Sequence, residues 1–201
     1  MKQYLFLIFA CLGAYGANAQ SINHLYLDGD TFTSDGITMV VENVNRLFFA
    51  VQNAQNELAS QNPVDADGNE VSPFDIYGGK IDRQTIKAAF DATFTEDEAA
   101  TLRENDVRIT LCLTSDNTGK VLEVVFVVYR NGGASLIAPA KFVAFEKNLK
   151  AMVQWAELSE DEKRLPFTHT TLLLKMDQLA PLVRDIDNDG IRLPDSLKLN
   201  P

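Results

Sequence analysis

The sequence predicts an α+β fold, in which an antiparallel sheet carries a helix on one face. Two β-rich runs, Arg108–Leu113 and Val121–Tyr129, are separated by turn-forming residues at 115–120 and indicate a hairpin. Apolar residues then recur at helical spacing over Pro139–Trp155. Phe167–Met176 has the composition of a further strand. The order hairpin, helix, strand is therefore the predicted unit of the C-terminal half.

The two hairpin strands differ in their apolar pattern. The first strand has apolar residues at alternate positions, which predicts one buried face. These residues are Val107, Ile109, Leu111 and Leu113. The second strand is apolar at nearly every position, so we expect both of its faces to be covered, one of them by the Pro139–Trp155 helix.

The predicted helix has one apolar face and one polar face. Pro139 suits a first helical turn because its missing N–H would have no partner there. The apolar face consists of Phe142, Phe145, Leu149, Met152, Val153 and Ala156. Lysines lie on the opposite side, so we expect the first four of these apolar residues to be buried against the sheet.

The N-terminal half is predicted to be an extension of short strands and helices. Leu25–Leu27, Ile37–Val41 and Leu47–Val51 have strand-like composition and are separated by turn-forming Asp, Asn and Gly residues. The polar stretch 53–72 is interpreted as a loop, and Asp65–Gly68 within it as a turn.

Helix-capping patterns indicate three short helices. Asp82 is the expected N-cap of a helix at Arg83–Phe90. A capping box is predicted for the helix at Glu96–Arg103, and another begins a short turn at Ser159–Glu162. A terminal turn is expected at Asp177–Leu182.

The first nineteen residues have the pattern of a secretory signal peptide. Lys2 precedes an apolar run of about ten residues, and the segment ends in Ala17-Asn18-Ala19. The run is too short to cross a bilayer of about 30 Å as a helix. We therefore expect cleavage after Ala19 and a periplasmic or extracellular protein.

An alternative interpretation makes Cys11 the lipidated first residue of a membrane-anchored lipoprotein. Ile8-Phe9-Ala10-Cys11 is an imperfect lipobox, since bulky Phe9 occupies a position where a small residue is usual. The well-formed site at Ala19 favours simple cleavage.

Length and charge limit the domain organisation and the partners. We expect a single α+β domain at 20–184 and an acidic tail at 185–201. Loss of Lys2 with the leader leaves 17 basic against 28 acidic side chains, a formal charge of −11. This charge argues against nucleic acid and anionic lipids as partners. No second apolar run reaches membrane-spanning length, so no transmembrane segment is expected in the mature chain.

Cysteine and histidine content gives little support for nucleophilic catalysis. Cys112 is the only cysteine left after cleavage, so no intramolecular disulfide can form. Within an apolar strand it is expected to be a small buried core residue. His169 is interpreted as a half-buried sheet residue.

The hairpin resembles the opening of TonB C-terminal-like domains. In these domains a strand, a Gly-Lys-Val turn and a second strand precede a helix and a closing strand, and Arg108–Leu113 with Gly119–Val124 match that beginning. The whole chain also resembles small uncharacterised secreted proteins of Gram-negative gut anaerobes. In those proteins a Phe-Thr-x-x-Glu segment such as Phe94–Glu98 precedes the hairpin.

The chain departs from the TonB pattern outside this unit. A TonB energy transducer needs an uncleaved membrane anchor and a long proline-rich spacer, whereas the seven prolines here are scattered. Asn105-Asp106 stands where a Tyr-Pro pair often precedes the first strand of that family. The resemblance therefore implies an exposed sheet edge that accepts another strand, rather than energy transduction. The alternative is an edge covered by loops.

The segment Asp185–Ile191 matches the first half of a calcium-binding loop. Side chains of Asp185, Asp187 and Asp189 can converge on one ion, Gly190 permits the turn, and Ile191 can offer its carbonyl oxygen. The second half is incomplete, because Ser196 occupies the position of the bidentate glutamate. The sequence thus predicts either a weak calcium site or a solvated acidic turn.

No catalytic motif is present in the sequence. It contains no Gly-x-Ser-x-Gly, His-Glu-x-x-His or phosphate-binding glycine loop. The leading interpretation is a secreted, non-catalytic module that contacts a protein or an envelope component. A calcium-dependent surface or carbohydrate binder is the alternative, and a hydrolase with a carboxylate site is the third.

Overall fold

The chain folds around one six-stranded antiparallel sheet. A computed structural model describes residues 26–72, 80–130 and 134–176. The strands are β1 (Thr31–Ser34), β2 (Ile37–Asn43), β3 (Phe48–Asn53), β4 (Lys80–Ile81), β5 (Arg108–Asp116), β6 (Val121–Tyr129), β7 (Trp155–Glu157) and β8 (Phe167–Lys175). The large sheet has the order β1-β2-β3-β6-β5-β8, and β4 pairs with β7 in a second, two-stranded sheet. The α+β prediction is confirmed.

In the part of the chain that the structure describes, four helices accompany the sheets. They are α1 (Arg83–Asp91), α2 (Glu96–Glu104), α3 (Pro139–Met152) and α4 (Glu160–Arg164), with a 3₁₀ turn at Ala134–Leu136. Asp82 caps α1, and capping boxes begin both α2 and α4. Each of these three caps was predicted, because the side-chain oxygens that satisfy the first helical N–H groups can be identified in the sequence. In the described ranges, no helix is both long and apolar enough to cross a membrane.

The β5–β6 hairpin, α3 and β8 form the predicted unit. β5 pairs with β6 on one side and with β8 on the other. Phe142, Phe145 and Leu149 of α3 are buried in the main core, and Met152 packs against that core while partly exposed. The helix therefore covers one face of the sheet, as expected.

The C-terminal end of α3 differs from the prediction. The helix ends at Met152 rather than Trp155, and Ala156 is exposed in β7. The backbone of Gln154 bonds instead to the start of α1: its carbonyl accepts from the Asp82 N–H at 2.9 Å, and its N–H donates to Thr85 Oγ1 at 3.1 Å. These bonds replace the next turn of the helix and direct the chain into β7.

The prediction of a strand at Leu25–Leu27 is wrong. Tyr26 and Leu27 precede a turn, while Leu25 lies outside the described residues. Tyr26 is buried in the core. Its ring stacks on Phe49, with 5.0 Å between centroids, and its hydroxyl donates to the Ile137 carbonyl. A residue from a short apolar run can thus pack in the core without being part of a strand.

The first strand is instead β1, which follows that turn. Asp35 and Gly36 join β1 to β2 with φ values of 50° and 76°. Two such residues at positive φ match the twist of a tight hairpin. Of the other two N-terminal predictions, β2 begins at the predicted Ile37 and β3 one residue later than predicted, at Phe48.

Gly119 in the β5–β6 turn gives a test of local packing. Its φ is +84°, and a Cβ there would lie 2.6 Å from Trp155 Cδ1. Gly119→Ala therefore combines backbone strain with a steric clash, and we expect a loss of about 2–3 kcal/mol in the free energy of unfolding.

Gly68→Ala is the matched control for this prediction. Gly68 has a φ of +85° but no atom within 4 Å of its would-be Cβ, so only the backbone strain applies. We expect a loss of about 1 kcal/mol there, measured by urea unfolding. Equal losses for the two variants would show that Trp155 does not pack against the turn.

Candidate functional site

The sheet has a second side, opposite α3, that we call the open face. Alternation along β5 places Ile109, Leu111 and Leu113 in the core beneath α3, so the residues between them point the other way. The open face comprises Phe48, Arg108, Thr110, Cys112, Val125, Val127, Tyr129, His169, Thr171 and Leu173. Most of these side chains are half-buried or exposed. β6 was expected to be covered on both faces, but Val125 and Val127 are only half-buried, which corrects that prediction.

Two adjacent grooves run across the open face. The first, which we call the loop-side groove, has a volume of about 490 Å³. Its lining consists of Ala59, Ser60, Gln61, Asn62, Cys112, Thr114, Val125, His169 and Thr171. The second, which we call the aromatic groove, has a volume of about 370 Å³. Its lining consists of Phe48, Arg108, Thr110, Val127, Tyr129 and Leu173.

Glu123 of β6 holds one wall of the loop-side groove in place. Its carboxylate accepts from the backbone N–H groups of Glu57 and Leu58 at 2.8 and 3.0 Å through Oε1. Oε2 accepts from the Ala59 N–H at 2.8 Å. Hydrogen bonds to an ionised acceptor are the strong kind, so this buried glutamate fixes a loop that has little regular structure of its own.

His169 ties the same loop to β8. Its Nε2 lies 2.8 Å from the Gln61 carbonyl oxygen, which can only accept, so Nε2 carries a proton and donates. Nδ1 lies 3.0 Å from Thr114 Oγ1. With both ring nitrogens bonded, the imidazole supports the groove wall. The prediction that His169 is a half-buried sheet residue is confirmed.

Cys112 lies at the floor of the loop-side groove. It was expected in the core, but it points to the open face and is partly exposed, which corrects the prediction. Burial raises the pKa of its thiol, and the hydroxyl of Thr171, 3.9 Å from the sulfur, offsets this only partly. A raised pKa keeps the thiol protonated, which disfavours a nucleophilic role.

The other end of the open face carries aromatic and basic side chains. The rings of Phe48 and Tyr129 are 5.4 Å apart at 54°. Arg108 forms two hydrogen bonds to the Asp106 carboxylate, at 2.6 and 3.2 Å. These bonds hold the pKa of Asp106 below its usual range, and the charge of Lys175 adds to the effect. The aromatic groove is thus lined mainly by apolar side chains, with the Arg108–Asp106 ion pair at its rim.

The predicted metal ligands cannot be placed in the structure. Asp185, Asp187, Asp189 and Ile191 all lie outside the described residues. Within the described ranges, no three His, Cys, Asp or Glu side chains form a group that could hold a metal ion. Calcium binding at 185–191 therefore stays a prediction.

Asp65–Gly68 is a turn, as predicted from the sequence. Asp65 Oδ1 accepts from the N–H groups of Asp67 and Asn69 at 2.9 and 2.8 Å. These backbone bonds, that of Asn69 above all, lower the pKa of the Asp65 carboxyl. The carboxylate is thus directed at its own loop.

Glu123 and the loop that it holds were not identified from the sequence. The one available signal is a single carboxylate in an otherwise apolar strand, Val121–Val128. A buried charge needs hydrogen-bond partners. The sequence does not show that these partners are the backbone N–H groups of residues 57–59, more than sixty positions earlier in the chain.

Comparisons with known proteins give a fold but no activity. No protein-family model matches the chain, and no curated protein matches it. A solved structure of a DUF5043 family protein from Bacteroides uniformis is similar, with a TM-score of 0.59 and 24% sequence identity. The match covers 75% of this chain and 92% of that one. At this identity the likeness is one of fold. That protein comes from a gut anaerobe, which agrees in part with the resemblance of this chain to uncharacterised proteins of gut anaerobes. The TonB-like resemblance stays a prediction.

Proposed function

We propose that this protein is an exported, non-catalytic binding module that holds a protein or envelope component on its open face. The observation that supports this proposal is the pair of adjacent grooves across β3, β6, β5 and β8. Concave surfaces with apolar floors and a few polar groups are typical binding sites.

The chemistry of the open face favours binding over catalysis. Glu123 uses both carboxylate oxygens to hold the loop at 57–59, and His169 uses both ring nitrogens. The Cys112 thiol has a raised pKa. The carboxylate and the imidazole that could serve as bases at the loop-side groove are thus engaged in hydrogen bonds, and the raised pKa of Cys112 disfavours its thiol as a nucleophile.

Exposed apolar side chains support a partner of larger size. Leu173 is 52% exposed on β8, at one side of the aromatic groove, and Val127 and Phe48 line the same groove from β6 and β3. A contiguous apolar patch with a polar rim marks an interaction site more often than scattered leucines do. β8 is also the end of the sheet in the described part of the chain, so its outer edge adds a place where an extended segment can pair.

Export is tested separately from binding. We expect the intact mass of the mature protein to correspond to a chain beginning at Gln20, because signal peptidase recognises the Ala17-Asn18-Ala19 ending. Mass spectrometry of the protein from its native host gives the answer. A mass that includes a lipid on Cys11 would establish the lipoprotein alternative instead.

Binding on the open face is tested by photocrosslinking. A benzophenone side chain replaces Thr171, and the protein is irradiated with envelope and periplasmic fractions of its native host. We expect an adduct whose yield falls about tenfold in Leu173→Glu, because a charge in the groove must be desolvated when the partner binds.

Leu27→Glu is the matched control for the crosslinking. Leu27 is 53% exposed, almost the same as Leu173, but lies just before the turn that leads into β1. The control variant is expected to form the wild-type amount of adduct. If no adduct forms, or if both variants lower its yield equally, the open face is not the binding site.

A further inference from the structure

The loop-side groove is polar but carries no charged side chain. Among the described residues that line it there is no Asp, Glu, Lys or Arg. Its polar side chains are Ser60, Gln61, Asn62, Thr114, His169 and Thr171. The whole chain has a formal net charge of -10, so this groove differs from the acidic surface expected elsewhere. A ligand of this groove is therefore recognised through neutral hydrogen bonds.

Two amide side chains in the groove have their nitrogen engaged and their oxygen available. Gln61 Nε2 donates to the Glu57 carbonyl at 2.9 Å, and Asn62 Nδ2 donates to Glu70 Oε2 at 3.3 Å. An amide whose NH₂ group is engaged in this way presents its carbonyl oxygen as an acceptor. Gln61 and Asn62 thus offer two acceptors, Oε1 and Oδ1, to a ligand.

Two hydroxyl groups complete the set of available polar atoms. Ser60 Oγ has no hydrogen-bond partner within the described part of the chain. Thr171 Oγ1, on the opposite wall, lies 3.9 Å from the Cys112 sulfur, which is a weak acceptor. Each hydroxyl can both donate to a ligand and accept from it.

These four groups limit the chemistry of the ligand. An anion needs strong donors or a cation, but both ring nitrogens of His169 are already bonded. A cation needs a carboxylate, but Glu123 uses both oxygens to hold the loop. An uncharged ligand that donates to amide oxygens and exchanges hydrogen bonds with hydroxyls satisfies all four groups. Neighbouring hydroxyls on a sugar ring do both.

The aromatic groove lies close enough to extend such a site. Thr171 lines the loop-side groove and Leu173 the aromatic groove, two residues apart on the same face of β8, which is about 7 Å. In the aromatic groove, the rings of Phe48 and Tyr129 offer apolar surface. The nonpolar face of a sugar ring can pack on such surface. A chain of several sugar rings therefore matches the open face better than a single ring.

We propose that the loop-side groove binds an uncharged oligosaccharide through direct hydrogen bonds. This inference rests on the proposed function, since it names the chemistry of the component that the open face holds. Glu123 and His169 already fix the groove wall, so binding does not have to order the loop. Such preorganisation favours affinity because less conformational freedom is lost.

The test titrates the mature chain with uncharged oligosaccharides in the presence of EDTA. The probes are chitohexaose, cellohexaose and maltohexaose, each up to about 10 mM, a range that detects dissociation constants in the millimolar range. We expect at least one of them to shift the amide resonances of residues 59–62 in a saturable way. Deacetylated chitohexaose and oligogalacturonate carry positive and negative charges, and they should leave these resonances unchanged.

Two threonine variants locate the binding on the open face. Thr171→Val keeps the shape of the side chain and removes its hydroxyl, so we expect affinity to fall about three- to tenfold, the effect of one neutral hydrogen bond. Thr170→Val is the matched control, because Thr170 precedes Thr171 in β8 and therefore points to the α3 side. This control should bind like the wild type.

Three outcomes would overturn the inference. The first is that none of the uncharged oligosaccharides shifts the resonances of residues 59–62. The second is that the charged oligosaccharides shift them equally. The third is that the two threonine variants have equal affinity for the oligosaccharide.

The adduct formed by crosslinking from position 171 separates this inference from the proposed function. A Leu173-dependent adduct that contains a protein and no sugar would refute the oligosaccharide and leave the binding function in place. An adduct that contains sugar supports both. Saturable shifts that Thr171→Val weakens, without any adduct from the host fractions, would support the sugar site and refute only the capture of a host component.

Discussion

Replacing Phe145 by alanine is expected to lower the free energy of unfolding by about 3–5 kcal/mol, the usual cost of removing a buried aromatic side chain. Phe145 is 1% exposed. Its ring lies 5.6 Å from the ring of Phe126 in β6 and 6.0 and 5.8 Å from those of Phe90 and Phe94. The side chain thus joins α3 to the sheet and to the α1 region, so its removal leaves a cavity shared by three elements of the core. Urea unfolding followed by circular dichroism gives the value.

Phe48→Ala is the control for this measurement. Phe48 has the same side chain but lies half-buried on the open face, where its ring contacts Tyr129. We expect a loss of about 1–2 kcal/mol, because folding removes less apolar area of Phe48 from water than of Phe145. Equal losses at the two positions would mean that α3 does not provide the main packing against the sheet.

Replacing Glu123 by alanine is expected to cost about 2–4 kcal/mol and to release the loop at 57–62. Three backbone N–H groups lose an ionised acceptor at once. Water can solvate some of them after the loop moves, so the cost is smaller than three full hydrogen bonds. Amide exchange at Glu57, Leu58 and Ala59 should become much faster, whereas exchange in β5 should change less.

Two control variants distinguish the hydrogen bonds from the charge. Glu123→Gln keeps one oxygen acceptor and should show an intermediate loss. Glu42→Ala removes an exposed carboxylate whose side chain bonds Gln52, and we expect a change of less than about 0.5 kcal/mol. An unchanged exchange rate at 57–59 in Glu123→Ala would contradict the role assigned to this residue.

Local patterns in the sequence predicted the parts of the fold that depend on local physics. The caps of α1, α2 and α4 are formed within three residues of the cap, and the β5–β6 hairpin needs only its own turn. The apolar face of α3 follows from its 3.6-residue period. These features could be identified without knowing the partners in space.

Features that depend on distant partners could not be predicted in the same way. The end of α3 is set by Asp82 and Thr85, which lie about seventy residues earlier in the chain. Cys112, in contrast, alternates with Ile109, Leu111 and Leu113, so the one-sided apolar pattern of β5 already places it on the opposite face, and its expected burial did not follow from that pattern. The limit set by distant partners also applies to the open face as a site, because its two grooves combine four strands and one loop.

The order of the strands in the sheet also has a kinetic consequence. Ala50 pairs with Val127 and Ile109 with Leu174, so these ladders join residues 77 and 65 positions apart along the chain. Loop closure over such distances must precede the contacts between these strands, and proteins with this kind of pairing fold in milliseconds to seconds rather than microseconds. The β1–β2, β2–β3 and β5–β6 hairpins join neighbouring segments and are local enough to form early. If the leader directs export, this delay keeps the chain extended while it is translocated, and the sheet is completed on the far side of the membrane.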